Sequence, residues 1–265
     1  RLRRAGGFQG LTFARHGPRR RAPSQLPCGW EGRTPPSRRS AVLFMVTILY
    51  QDDECVAVMK PIGVAAVPER IADEACLSAL LERQLGRRVL PVHRLDKEVS
   101  GVILYALTAE AHRFLNCAFE RRDVSKSYLA VTHGIVGPDA GVIARPLREY
   151  GSGRMGVDDA RGKPSETRFD VARRSARYSL VRLQPLTGRR HQLRVHLYSI
   201  GHPIAGDTRY GAPDLRTGHP RLMLTATGLA LRLPSGTDLA LAGHVPRDFA
   251  EAARDVYGLD TALPG

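Results

Sequence analysis

The sequence predicts an α+β fold with a mixed, largely antiparallel central sheet and flanking helices. Predicted strands outnumber predicted helices, and the two kinds of element do not alternate along the chain. Two pairs of neighbouring strands are joined by short polar turns, which is typical of antiparallel hairpins. A doubly wound parallel sheet would need regular alternation of strands and helices, so the pattern argues against that fold.

The strands are predicted from short apolar and β-branched runs bounded by turn residues. The first hairpin joins residues 47–50 to residues 55–59 across the polar turn 51–54. The last joins residues 229–233 to residues 238–241 across Pro234-Ser235-Gly236. Between the hairpins the strands are predicted at residues 101–107, 127–132, 167–172 and 178–184.

Four helices are predicted from apolar spacing and from the residues at their ends. Residues 73–85 carry a leucine stripe and end at Gly86, and residues 109–121 follow Thr108, a good N-cap residue. Residues 191–200 end at Gly201, and residues 246–257 form a closing helix.

The first 44 residues differ from the remainder in composition. They hold ten arginines and one acidic residue, a net charge of +9, and show neither helical nor strand periodicity. We expect a disordered basic tail ahead of a folded domain at residues 45–265. An organellar transit peptide, an RNA-binding arm and translated upstream sequence before a natural start at Met45 are all compatible with it. We favour the last and place the basic arm second.

The overall composition favours a polyanionic partner. The chain of 265 residues has a formal net charge of +14, which suits nucleic acid. It has no run of eighteen apolar residues, so we expect no membrane contact. Its four cysteines form no C-x-x-C pair, and the histidines lack a metal-binding spacing, so we predict reduced thiols, a cytoplasmic protein and no metal.

Two segments carry the candidate chemistry. His93-Arg94-Leu95-Asp96 stands just before the strand predicted at 101–107, which would hold Asp96 and Arg94 on a rigid base. The segment from Gly188 to His196 supplies Arg189, Arg190, His191 and Arg194. An aspartate acts as a nucleophile or base only when it stays ionised and is held in place, and Arg194 could do both.

These segments resemble those of the RluA-type pseudouridine synthases. Asp96 matches the obligatory aspartate of the family, Tyr128 in Lys126-Ser127-Tyr128 matches the active-site tyrosine, and Arg194 in Leu193-Arg194-Val195-His196 matches the arginine that pairs with the aspartate. Further similar segments stand in the same order, from Met45 onward: Lys60-Pro61, Gly162 to Thr167, and Arg221 to Leu224.

The resemblance implies an enzyme that isomerises uridine to pseudouridine in structured tRNA or rRNA, without a cofactor or an obligate protein partner. Asp96 would break the glycosidic bond, by attack or by proton abstraction, on a uridine extruded from the RNA. Tyr128 would stack on the base and Arg94 would fill the space that it leaves. Arg189, Arg190 and His191 would contact RNA backbone or help order the cleft.

Two departures from the family bear on substrate choice. Many members carry an N-terminal RNA-binding domain of the S4 type, for which residues 1–44 are too short and irregular. Thr225 stands where the family often has histidine. A non-catalytic RNA-binding or RNA-folding protein on the same scaffold is the alternative, but a degenerate member would be expected to lose Asp96. An aspartate-based hydrolase has no second carboxylate at a recognisable spacing to support it.

Overall fold

A computed structural model describes residues 45–68, 76–151 and 153–262 of the chain. The predictions for residues 1–44 and for the start of the first helix at 73–75 lie outside the described residues. The described part contains four α-helices: α1 Leu77–Leu85, α2 Ala109–Arg121, α3 Gln192–Ser199 and α4 Arg247–Asp255. It contains twelve strands: β1 Ile48–Gln51, β2 Cys55–Lys60, β3 Leu90–Pro91, β4 Ser100–Ala106, β5 Ser125–His133, β6 Ala140–Ala144, β7 Leu147–Glu149, β8 Met155–Val157, β9 Glu166–Arg174, β10 Tyr178–Pro185, β11 Leu224–Arg232 and β12 Asp238–Ala242.

Ten of these strands form one sheet. Its order is β1-β2-β4-β11-β5-β10-β9-β6, with β3 added beside β4 and β12 beside β11. The pair β4–β11 is parallel, and the other described pairings are antiparallel. β7 and β8 form a separate hairpin. The predicted class, a mixed and largely antiparallel sheet with helices, is confirmed.

The parallel junction lies where the candidate catalytic loop enters the sheet. Thr225 and Ala226 of β11 pair with Ser100 and Gly101 of β4. Gly101 has φ +119, and a Cβ there would lie 2.1 Å from the carbonyl oxygen of Ala226, so only glycine allows this approach. The Ser100 hydroxyl lies 3.0 Å from that of Thr225. Thr225, the departure from the family pattern, therefore stabilises the junction.

The core occupies both faces of the sheet. Val58 and Ile103 point to one face, where they share a cluster with residues of α1, α3 and α4. The alternate residues Ala57 and Leu104 point to the other face, where they meet Leu115 of α2. The period-two alternation of buried strands thus sends each sheet residue to a helix layer. Because helices cover both faces of the sheet, a site can form at the ends of β4 and β5.

The prediction of elements is accurate for most helices and less complete for strands. α2 has the predicted bounds, and the Thr108 hydroxyl accepts a hydrogen bond from the N–H of Ala111 at 3.1 Å. Gly86 takes the left-handed conformation that ends α1. The prediction missed four short strands, β3, β6, β7 and β8, and it started β11 five residues late.

Candidate active site

One cleft of about 340 Å³ brings the predicted residues together. Its walls come from the loop before β4, from the turn between α2 and β5, and from the loop between β10 and α3. Six of the seven predicted site residues line it: Arg94, Asp96, Tyr128, Arg189, His191 and Arg194. The seventh, Arg190, lines an adjoining polar pocket that also contains Arg94 and Asp96. Segments far apart in the sequence therefore form a common site.

Asp96 lies at the meeting point of the walls. Its side chain is 19% exposed, and its Oδ2 atom is 3.4 Å from Nη1 of Arg194 and 3.7 Å from Nε2 of His191. The loop that carries it closes with a bond from the N–H of Val99 to the Asp96 carbonyl, at 3.0 Å. A carboxylate held in this way between two donors, with a solvent-facing edge, can attack or accept a proton from a bound ligand.

The main partner of Arg194 is Asp207, which the sequence reasoning did not identify. Nε and Nη2 of Arg194 donate to the two Asp207 oxygens at 2.7 and 2.8 Å. The Asp207 side chain is fully buried, and its Oδ1 also accepts the backbone N–H groups of Arg209 and Tyr210. The fork of Arg194 is thus fixed by Asp207, and its remaining Nη1 faces Asp96.

That clamp also determines the charge of Arg194. Burial acts to lower the pKa of its guanidinium, but the hydrogen bonds and charge of Asp207, together with the charge of Asp96, outweigh burial and raise the pKa. Arg194 is therefore a permanent, immobile cation beside Asp96. The predicted pairing with Asp96 is present at 3.4 Å, but it is longer than the contacts with Asp207.

His191 occupies a backbone conformation that most residues avoid. It caps α3 at φ 51 and ψ 22, in the left-handed region. Its Nδ1 lies 2.7 Å from the hydroxyl of Tyr210, and its Nε2 faces Asp96. Burial is the main cause that lowers the pKa of His191, so the ring is neutral near pH 7. The ring faces Asp96, with 8% of its side chain exposed.

Tyr128 forms part of the floor of the cleft. It is half-buried on β5, and burial, followed by the charge of Asp96, raises the pKa of its phenol well above the usual value. The ring is therefore a neutral aromatic surface beside the carboxylate. Such a surface can stack on a nucleobase.

Two buried side chains hold the loops of the site in place. The Lys60 ammonium donates to the carbonyls of Pro61, Val64 and Lys97, at 2.9, 2.6 and 3.1 Å, and so ties the Asp96 loop to the end of β2. Gln192 accepts from the Thr187 hydroxyl and the Arg189 N–H and donates to the Glu166 carbonyl. Both residues fix backbone next to the cleft, and Gln192 also lines it.

The other predicted RNA contacts differ in exposure. Arg94 is exposed on the rim shared by both cavities. Arg189 is half-buried, and its Nε lies 3.4 Å from the Pro164 carbonyl. Arg190 is exposed and donates to Glu149 at 2.6 Å. Their contact with RNA stays a prediction.

Asp207, Tyr210 and Gln192 support the site in a role that the sequence did not predict. Lys60, which also supports it, stands in the Lys60-Pro61 segment that resembles the family, and Gln192 lies within the segment from Gly188 to His196. Asp207 and Tyr210 lie in Gly206-Asp207-Thr208-Arg209-Tyr210-Gly211, where an acidic residue and an aromatic between two glycines give a weak signal. Their importance comes from burial and from contact with α3.

The described residues show neither a metal-binding group of side chains nor a membrane-spanning helix. Within residues 45–68, 76–151 and 153–262, no three or more His, Cys, Asp or Glu side chains are grouped so that they could hold a metal ion. In the same segments, no helix has both the length and the apolar character needed to cross a membrane.

The chain is similar in sequence to known RNA-modifying enzymes. Residues 54–199 match the family described as RNA pseudouridylate synthase. The dual-specificity RNA pseudouridine synthase RluA of Escherichia coli strain K12 is 37% identical over 226 residues, which cover 83% of this chain and all of that protein. The tRNA pseudouridine synthase C of Pectobacterium carotovorum is 37% identical over 233 residues, which cover 78% of this chain and 61% of that protein.

Solved structures give the same result. The human RNA pseudouridylate synthase domain containing 1 superposes with a TM-score of 0.69 at 28% identity, over 80% of this chain and 87% of that one. The human domain containing 4 superposes with a TM-score of 0.67, also at 28% identity, over 80% of this chain and 93% of that one. This chain therefore shares its fold with solved pseudouridylate synthase domains.

Proposed function

Because the chain belongs to the RNA pseudouridylate synthase family and is an RNA uridine-to-pseudouridine isomerase, we propose that Asp96 is its catalytic carboxylate. Tyr128 and Arg194 complete the catalytic group. The observation that supports this assignment is the convergence of these three residues, from three distant segments, on one cleft. Arg194 Nη1 and His191 Nε2 both face the same oxygen of Asp96.

The reaction is an isomerisation, so the uridine and the pseudouridine contain the same atoms. A uridine leaves the RNA stack and enters the cleft, at a cost of a few kcal/mol. Asp96 breaks the C1′–N1 bond, by attack at C1′ or by taking a proton from the ribose, and the freed base turns. C5 then bonds to C1′, which releases Asp96 from C1′ or is accompanied by return of the proton to the ribose. The hydrogen on C5 leaves as a proton, and N1 of the turned base gains one. Tyr128 keeps the base stacked during the turn.

The electrostatics of the site favour this use of Asp96. Arg194 stays charged because Asp207 and Asp96 surround it, and its position is fixed by two short bonds. A fixed cation near an ionised carboxylate holds the carboxylate in place without solvent reorganisation. The neutral phenol of Tyr128 adds no competing charge beside the base.

The RNA is proposed to be tRNA or rRNA, and the protein is proposed to act in the cytoplasm. The relatives are named for dual specificity and for tRNA, and residues 45–265 keep a net charge of +5 once the +9 of residues 1–44 is set aside, which suits either RNA. The catalytic domain is proposed to occupy residues 45–265. Arg94, Arg189, Arg190 and His191 are proposed to face the bound RNA or to shape the cleft that receives it.

The test compares the protein with its Asp96→Asn variant on total tRNA and rRNA from cells that lack the gene. RNA labelled with tritium at C5 of uridine releases tritium when pseudouridine forms. We expect release by the wild-type protein, none by Asp96→Asn, and RNA affinity that persists, since most affinity comes from phosphate contacts. Asp170→Asn removes a carboxylate that pairs with Arg182 on β10, outside the cleft, and is the matched control.

Asp170→Asn should leave tritium release unchanged. Substantial turnover by Asp96→Asn would overturn the assignment of the carboxylate. A wild-type protein that binds RNA but never releases tritium, from any RNA, would favour the non-catalytic RNA-binding alternative.

A further inference from the structure

Besides Arg94 on the rim, two cations on the opposite wall of the cleft have no hydrogen-bond or ion-pair partner in the described part of the chain. Arg122 ends α2, and Lys126 lies near the start of β5. Both side chains line the cleft, and neither makes a hydrogen bond or ion pair with another described residue. In contrast, Arg194 is neutralised by Asp207 and Arg190 by Glu149. The cleft therefore holds positive charge that the folded protein itself does not neutralise.

The position of Lys126 makes this charge costly. Lys126 is half-buried, and burial, followed by the positive charge of Arg122, lowers the pKa of its ammonium. Two like charges near each other, partly removed from water and without a counter-ion, are unfavourable. An anion bound between them would offset both the cost of burying the ammonium and the repulsion between the two positive charges.

The local backbone keeps the two cations at the cleft. Arg122 takes the left-handed conformation at φ 67, which is uncommon for a residue other than glycine. Its N–H donates to the Phe119 carbonyl at 3.3 Å, which closes the end of α2. A basic residue at a helix C-terminus is favoured by the helix dipole, and this alone could explain Arg122. It does not explain Lys126, which lies in a strand.

Lys126 also lies beside the place proposed for the target base. Lys126 and Tyr128 are two residues apart on β5, so their side chains leave the same face of the strand. On the opposite wall, a Cβ at Gly188 would lie 3.6 Å from the Lys126 Nζ atom. The ammonium is thus between the β5 floor and the Gly188 turn, next to the aromatic ring that would stack on the uracil.

We propose that Arg122 and Lys126 form a subsite for a backbone phosphate of the RNA, next to the target uridine. The guanidinium of Arg122 suits a bidentate contact with phosphate oxygens, and the ammonium of Lys126 acts as a point charge. The subsite rests on the proposed function, because it places the flipped base beside Tyr128. It fixes the direction in which the RNA chain leaves the cleft.

The test measures RNA binding without turnover. In an Asp96→Asn background, the affinity for a tRNA or rRNA stem–loop that contains the modified uridine is measured over a range of salt concentrations. Lys126→Met and Arg122→Gln should each weaken binding and lower the salt slope by about one, and the double variant by about two. Lys126→Arg keeps the charge and should keep the slope.

The control is Arg168→Gln. Arg168 is exposed on β9 and lines none of the cavities beside Asp96. It should leave affinity and slope unchanged. An unchanged slope in both Lys126→Met and Arg122→Gln would overturn the subsite. If one variant fails to fold, as judged by its melting temperature, the other gives the same information.

A second measurement identifies the phosphate. Each phosphate that flanks the target uridine is replaced in turn by an uncharged methylphosphonate. One replacement should weaken binding by the protein that retains Lys126, and Lys126→Met should be insensitive to that same replacement. If Lys126→Met responds to every replacement as its parent does, the subsite is wrong and the lysine acts only through general charge. Turnover by Asp96→Asn would instead overturn the catalytic assignment and leave these binding results intact.

Discussion

The hydroxyl of Tyr210 lies 2.7 Å from Nδ1 of His191, and the same oxygen accepts the N–H of Met155 at 3.1 Å. The Tyr210 side chain is buried, so its own hydrogen needs an acceptor within the protein. Nδ1 of His191 is the acceptor in reach, and a neutral ring that accepts at Nδ1 carries its hydrogen at Nε2. Tyr210 therefore holds His191 in the tautomer whose Nε2–H points toward Asp96.

Tyr210→Phe tests whether this tautomer matters. Without the hydroxyl, the imidazole is free to move its hydrogen to Nδ1 and turn a lone pair toward Asp96. We expect kcat to fall by about tenfold, equivalent to about 1.4 kcal/mol in the barrier, with RNA affinity unchanged. Histidine side-chain nitrogen shifts should show the change of tautomer.

The matched control for that variant is Tyr105→Phe. Tyr105 is equally buried, and its hydroxyl donates to the Ala66 carbonyl at 2.7 Å, away from Asp96. It should lose stability of a similar size without the loss of kcat. An unchanged kcat in Tyr210→Phe, at an altered tautomer, would show that Asp96 does not depend on this hydrogen bond.

Arg194 combines a folding role with the proposed catalytic one. Arg194→Met leaves the fully buried Asp207 carboxylate without its cation, which should lower the free energy of unfolding by about 3–5 kcal/mol. Arg194→Met with Asp207→Asn removes both charges, and the amide oxygen can still accept the backbone N–H groups. We expect urea unfolding to show most of the stability restored in the double variant, while tritium release stays low.

This pair of variants separates the two roles. If the double variant regains turnover together with stability, Arg194 serves only the fold, and its contact with Asp96 has no part in the reaction. If stability does not return, the charge of Asp207 is required for another reason, such as the turn at Arg209 and Tyr210.

Much of the fold could be predicted because the signals are local. Thr108 and the apolar stripe mark α2, and the left-handed Gly86 marks the end of α1. The predicted range of β11 began too late because the first half of this strand is buried in the middle of the sheet, where Thr225 breaks the expected alternation of apolar and polar residues. The strands of the β7–β8 hairpin are three residues each, too short to show a period.

The site was predictable only where a segment carries its own pattern. Asp96, Tyr128 and Arg194 each stand in a recognisable motif, and the structure brings them to one cleft. Asp207 could not be assigned, because an aspartate followed by polar residues looks like a surface turn until α3 places Arg194 against it. His191 was expected to contact RNA backbone or to help order the cleft; its backbone is left-handed and its ring faces Asp96, and its contact with RNA stays a prediction.

His93 should make stability depend on acid. Its Nε2 accepts the N–H of Leu104 at 3.0 Å, and burial lowers its pKa to about 3. In the unfolded chain the pKa is about 6.5, so between these values the unfolded state binds the extra proton. The contribution of His93 to the free energy of unfolding is therefore complete above about pH 6.5. It is lost as the pH falls below that value, by up to about 1.4 kcal/mol per pH unit.

The free energy of unfolding in urea at pH 7 and at pH 4.5 measures the effect. In His93→Gln the amide oxygen can accept from Leu104 without titrating, so the difference between the two pH values should shrink. His244→Gln, at an exposed histidine, should leave the difference as it is in the parent protein. The same difference in His93→Gln as in the wild type would show that other groups cause the acid sensitivity.

Arg94 should assist the extrusion of the base. Its side chain is exposed, lines both cavities that share Asp96, and makes no hydrogen bond or ion pair with another described residue. A planar guanidinium in that position can enter the space that the uracil leaves in the stack. Arg94→Ala should therefore lower the modification rate on a structured stem–loop more than on an unstructured oligonucleotide of the same sequence, because only the first must be unstacked.

Arg94→Lys keeps the charge but loses the flat group, so it should resemble Arg94→Ala on the stem–loop. Equal losses on both RNAs, with recovery in Arg94→Lys, would show that Arg94 contributes charge alone.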